Sequence, residues 1–209
     1  MPDTLTYRQE VFRKFFHIAS SSIAILLYFL GKEVLLPYIL AAAILFPILD
    51  YSRKYIPYLK TIYITLFGII TRPYEYHGLS GASWVFMGAG VTTYLFNEKA
   101  AVIALLVMSL SDSAAAMIGI KYGNTRLFNK SLEGSLAFFI TTYVIIFSFS
   151  TASILLTLIT TIIATAIELF STRKSTRLQN FGFSDFFIFH QTFFENHDSR
   201  HFKVMVLEA

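Results

Sequence analysis

The chain has 209 residues, of which 55% are hydrophobic, 17% aromatic and only 14% charged, with a formal net charge of +4. So little polar side chain cannot cover an ordinary soluble domain, and the sequence reads as an integral membrane protein whose basic residues report orientation and attraction to anionic headgroups rather than nucleic-acid binding. The chain has no cysteine, which excludes disulfides, zinc–thiolate sites and thiol catalysis.

Apolar runs close to the roughly twenty residues that a membrane-crossing helix needs centre on 15–30, 34–50, 82–97, 100–119, 132–149 and 151–170. The first is read as a retained helix, because no convincing cleavage site follows it. A shorter run, 58–70, contains Lys60 and suits an interfacial or re-entrant segment. Cytoplasmic loops collect Lys and Arg. If 58–70 does not cross, one side takes almost every basic residue from Arg8 to Arg177, and the other only Lys32 and Lys99. The expected fold is therefore an all-α polytopic membrane protein. It has about six transmembrane helices, a possible seventh membrane-associated segment and both termini cytoplasmic. Residues 1–177 form one transmembrane helical domain, followed by an atypical tail over 178–209.

Arg13, Lys14 and His17 cluster at the start of the first run at helical spacing. They serve either as ordinary topogenic and interfacial residues or as partners of a site. Pro57 ends the helix that carries Asp50. Arg72 and Glu75 then precede Gly78 and Gly81, either as a surface pair of little energetic weight or as part of something more specific.

Asp112 lies inside an apolar run, and ionisable groups at such a depth are rare enough to mark a functional site. At 100° per residue, Asp112, Ala115, Gly119 and Gly123 share a narrow arc, and Ser111, Ala115, Gly119 and Gly123 form a ladder of small side chains. A small-residue packing seam explains the glycines but not the aspartate. A carboxylate beside a floor of small residues, with Lys121, Arg126 and Lys130 in the loop above, suits a phosphate-bearing ligand and a magnesium ion. Asn129 or Ser131 is placed to cap the next helix. Glu133 in its first turn is either a favourable helix-terminus charge or a second metal ligand. Beyond Glu168 and the basic residues Arg173, Lys174 and Arg177, the hydrophobic pattern is lost.

These motifs together resemble the CTP-dependent lipid-alcohol kinases, which include dolichol kinase, phytol kinase and CTP-dependent diacylglycerol kinase. The resemblance runs in order through Arg13-Lys14 with His17, Arg72 and Glu75 ahead of Gly81-Ala82, Asp112-x-x-Ala115-x-x-x-Gly119-x-x-x-Gly123, and Lys130-x-x-Glu133-Gly134. It covers roughly residues 10–170. It implies transfer of the terminal phosphoryl group of CTP to a membrane-embedded alcohol, with a divalent cation, and the charge-derived topology puts these groups on the cytoplasmic face. Phosphoryl transfer asks mainly for positioning and charge neutralisation. On that template Asp112 binds magnesium or deprotonates the lipid hydroxyl, Lys130 holds the phosphates, and Glu133 binds metal or orients Lys130. Arg13, Lys14, His17 and Arg72 complete the pocket, with Ala115, Gly119, Gly123 and Gly134 in the nucleotide-binding segment. One departure stands out: the family's Asp-Asn pair after its penultimate helix reads Gln179-Asn180 here. Two other readings compete. One is a CTP-dependent lipid cytidylyltransferase, whose usual carboxyl-terminal signature is absent, and the other a non-enzymatic transporter or structural membrane protein, which leaves the Lys130/Glu133/Gly134 pattern unexplained.

Overall fold

A computed structural model of the protein describes residues 7–71, 73–76, 78–127 and 130–170. Arg72, Asn129, Gln179 and the whole tail from 178, with the boundary proposed there, lie outside the described residues. Nine α-helices are described: α1 (Tyr7–Ala19), α2 (Ser21–Leu30), α3 (Lys32–Ser52), α4 (Pro57–Phe67), α5 (Gly81–Leu95), α6 (Glu98–Leu106), α7 (Asp112–Tyr122), α8 (Leu132–Phe149) and α9 (Ile154–Phe170). Among the described residues, four helical stretches are long and apolar enough to cross a membrane: Tyr7–Leu30, Lys32–Ser52, Glu98–Tyr122 and Leu132–Phe149. The expected helical fold is present, with one addition. The loop read as merely polar folds into a small antiparallel hairpin, β1 (Arg126–Leu127) against β2 (Lys130–Ser131).

The buried centre is α6. Residues Ala100 to Leu106 are all buried, as are Val107 and Met108 beyond it. A helix apolar all round is what a bundle interior takes. The most extensive packing joins α3 to α5, followed by α7 to α8, α8 to α9 and α2 to α6. Small residues allow the closest approach: a Cβ on Gly90 of α5 would lie 2.6 Å from Ala43 Cβ of α3. The stacked Phe46 and Phe86 rings extend that contact, with centroids 4.0 Å apart.

Polar contacts sort the connections into two ends. At one end, Gly31 turns the chain at φ +84°. There the Lys32 amide donates to Glu98 Oε2 at 2.7 Å and Lys32 Nζ to Phe96 O at 2.5 Å. At the opposite end, Arg53 after α3 meets Gly78 ahead of α5, and Lys14 of α1 meets Asp112 of α7. Lys130 of the hairpin also meets Glu168 of α9 there. Helix α4 belongs to this second end. Its eleven residues extend only about 16 Å at the α-helical rise, roughly half a hydrocarbon core, and none is buried.

Candidate active site

The Asp112 helix is not regular where the aspartate is presented. Val107–Ser111 forms a π-helical turn between α6 and α7, the wider coil that frequently marks functional positions. Ser109 Oγ donates to Leu105 O at 2.8 Å and Ser113 Oγ to Ser109 O at 2.6 Å, so side-chain hydroxyls engage one carbonyl before the widened turn and one within it. Asp112 follows at once as the first residue of α7.

Lys14 meets it from α1. Lys14 Nζ is 2.5 Å from Asp112 Oδ2 and 3.5 Å from Asp112 O, and Lys14 is buried. The Asp112 side chain keeps 39% exposure, so the pair is open on the carboxylate side. His17, one turn further along α1, lies within electrostatic range of Asp112. Its Nδ1 is buried with no hydrogen-bond partner among the described residues. Arg13 turns elsewhere: its Nη2 lies 3.3 Å from where a Cβ on Gly81 would sit, at the start of α5. Adjacent residues on a helix diverge by 100°, so Arg13 and Lys14 serve different neighbours.

The small-residue ladder forms the α7–α8 seam. A Cβ on Gly134 would stand 2.8 Å from Ala115 O and 3.2 Å from Gly119 Cα, and one on Gly119 or Gly123 would stand 2.8 Å or less from atoms of Ser131 or Gly119. Ala115, Gly119, Gly123 and Gly134 thus bring two backbones together beneath the hairpin. Ser131 is the N-cap of α8, accepting from Gly134 N at 3.1 Å.

Glu133 and Lys130 make different contacts at the hairpin. Glu133 Oε1 accepts from Asn124 N at 3.1 Å and Thr125 N at 3.0 Å, which clamps the turn after α7 to the first turn of α8. Its Oε2 is buried without a hydrogen-bond partner among the described residues. Lys130 Nζ forms an ion pair with Glu168, whose other oxygen accepts from Ser135 Oγ at 3.4 Å. Lys130 also lies within electrostatic range of Asp112. Asp112 and Glu133 do not join a group of three or more His, Asp or Glu side chains placed for a metal among the described residues. Magnesium typically takes one or two protein carboxylates and completes its shell with phosphate and water, so the part-exposed Asp112 suits it as a single protein ligand.

A second polar cluster was not singled out in the sequence. Asp50 Oδ2 accepts from Ser80 N at 2.5 Å and Ser83 Oγ at 2.7 Å, and Arg53 Nε stands 2.7 Å from Asp50 Oδ1. Arg53 Nη2 donates to Glu75 O at 2.7 Å. Glu75 is buried, and its Oε1 accepts from Gly81 N at 3.2 Å, so it is no surface partner. The three-residue spacing of Asp50 and Arg53 at the end of an apolar run was the available signal.

Comparison of the sequence with known proteins finds relatives, some of them of stated chemistry. The chain is 38% identical over 138 residues to CTP-dependent diacylglycerol kinase 1 of Saccharomyces cerevisiae, covering 63% of this chain and 47% of that protein. It is 32% identical over 139 residues to CTP-dependent diacylglycerol kinase 1 of Eremothecium gossypii, covering 64% and 44% respectively. An uncharacterized protein of Rickettsia prowazekii is 31% identical over 170 residues, 76% of this chain and 82% of that protein. Over the matched region the chain is similar to the CTP-dependent lipid kinase family. The motif resemblance pointed to the same family. The chain spans less than half the length of each of the two named kinases. No family model matches it, and no solved structure does.

Proposed function

We propose that this chain is a CTP-dependent lipid kinase that transfers the γ-phosphoryl group of CTP to the hydroxyl of a membrane lipid alcohol. The observation that carries this reading is the Lys14–Asp112 pair, a cation and a part-exposed carboxylate brought together from α1 and α7 beside the hairpin that holds Lys130. The hydroxyl oxygen attacks the γ-phosphorus, the bond to the β-phosphate oxygen breaks, CDP leaves, and the hydroxyl proton passes to Asp112. Lys130, Lys14, Arg13 and Arg72 neutralise phosphoryl oxygens, the contribution that phosphoryl transfer needs most. His17 lines the pocket on the α1 side. Ala115, Gly119, Gly123 and Gly134 let α7 and α8 close up beneath the hairpin, and Glu133 holds the hairpin that presents Lys130. A divalent cation, magnesium by its preference for carboxylate and phosphate oxygen, would be held by Asp112, with Glu133 the second candidate ligand, and would neutralise charge on the phosphates.

Diacylglycerol is the acceptor to test first, because two relatives carry it in their names. Polyprenols, dolichol and phytol-like alcohols present the same single hydroxyl. In the proposed topology α5 and α9 complete six crossings, and both termini and the site face the cytoplasm, where CTP is available. The basic loops of the site end support that orientation.

The test uses the full chain in lipid vesicles with magnesium, diacylglycerol and CTP labelled either at the γ-phosphate or in the base. γ-Label entering lipid supports the kinase. Base label entering lipid would replace it with a cytidylyltransferase, and no transfer to any alcohol in a panel would favour a non-enzymatic membrane protein.

A further inference from the structure

Asp50 and Arg53 are charged, buried and remote in sequence from every motif of the site. Their side-chain exposures are only 5% and 6%, so each would be costly to bury without the other. What they hold is specific. Asp50 takes the Ser80 amide and the Ser83 hydroxyl at the start of α5, while Arg53 takes the carbonyls of Glu75 and Gly78. The guanidinium also lies 3.6 Å over the Tyr63 ring of α4. One residue pair therefore fastens the end of α3 to α4, to the segment before α5 and to the α5 N-terminus.

The network continues into α1. Glu75 Oε1 and Arg13 Nη2 flank the same spot, 3.4 and 3.3 Å from the position a Cβ on Gly81 would take. The guanidinium and the carboxylate therefore lie no further apart than those two distances together, close enough for Glu75 to attract Arg13 and help set where it sits. Arg13 in turn is the neighbour of Lys14, which meets Asp112. The amides of Ser80 and Gly81 are already taken by Asp50 and Glu75, so the α5 N-terminus is a fixed support rather than an anion site.

We infer that Asp50 and Arg53 are positioning residues for the α1 side of the active site, acting through Glu75 and Gly81 on Arg13. In its kinetic consequence this inference rests on the kinase reading. In its structural consequence it does not, and the experiment separates the two.

Asp50→Asn and Arg53→Lys are made in the full chain, reconstituted in lipid, singly and combined with Arg13→Lys. Each single change is expected to raise KM for CTP about tenfold with kcat little changed, and the doubles to be no worse than the worse single, the non-additivity of residues in one network. Hydrogen exchange should quicken both at 78–83 and at 7–17 in α1. Additive effects on KM, or exchange that quickens at 78–83 alone, overturn the inference. If the unmodified chain transfers no γ-phosphate, the kinase reading falls and exchange at 7–17 decides by itself. If Asp50→Asn fails to fold, Ser83→Ala removes a single donor to Asp50 and gives the same exchange comparison at smaller amplitude.

Discussion

Lys14 and Asp112, 98 positions apart in the chain, form an ion pair at 2.5 Å between α1 and α7. Both lie within segments long and apolar enough to cross a membrane. A charge so placed is tolerated where it is paired and where it faces a bundle interior or a water-filled site. The part-exposed carboxylate and the buried ammonium meet both conditions, and they link the first motif of the chain to its central one.

Lys130 is expected to bind the nucleotide rather than to shape the fold. Lys130→Ala should raise KM for CTP by about tenfold to a hundredfold, the loss of one hydrogen bond to a charged group. Glu168→Gln, which removes the lysine's partner on α9, should lower turnover in the same assay. Combined with Lys130→Ala, it should add little further loss. Steady-state kinetics with varied CTP check both, and an unaltered KM in Lys130→Ala would remove that residue from the phosphate site.

Glu133 should act by ordering the hairpin. Glu133→Ala releases the Asn124 and Thr125 amides, so trypsin should cut after Arg126 faster in the reconstituted variant than in the parent chain. Unchanged cleavage would show that the β1–β2 pairing stands without the clamp.

The glycines of the α7–α8 seam should differ in their tolerance. Gly134→Ala sets a methyl against the Ala115 carbonyl oxygen of the opposite backbone, while Gly119→Ala meets first the Ser131 hydroxyl, which can move aside at the cost of its cap to the Gly134 amide. Overpacking against backbone costs about 1–3 kcal/mol. Thermal unfolding followed by loss of helical signal should therefore place Gly134→Ala below Gly119→Ala, and the reverse order would contradict the seam.

Much of this was legible in the sequence because the constraints were local. Apolar runs of sufficient length marked the helices, Pro57 marked the break before α4, and Ser131 stood where a cap belongs. Asp112 declared itself by its cost in an apolar setting. What the sequence concealed depends on contacts between distant segments. Asp50 and Arg53 resemble the ordinary charged end of a span until α5 is seen to start against them. Arg13 and Lys14 read as one cluster, yet one faces Gly81 and the other Asp112. The π turn before Asp112 has no sequence signature of its own, and the hairpin is too short to show an alternating pattern.

The most direct test of the account is γ-phosphoryl transfer from CTP to diacylglycerol by the reconstituted chain and by Asp112→Asn, with helical content and insertion measured on both. The parent chain is expected to transfer phosphate, and the variant to lose at least about a hundredfold while remaining folded in the membrane, the scale associated with removing a catalytic proton acceptor. Undiminished transfer by a folded Asp112→Asn would contradict it.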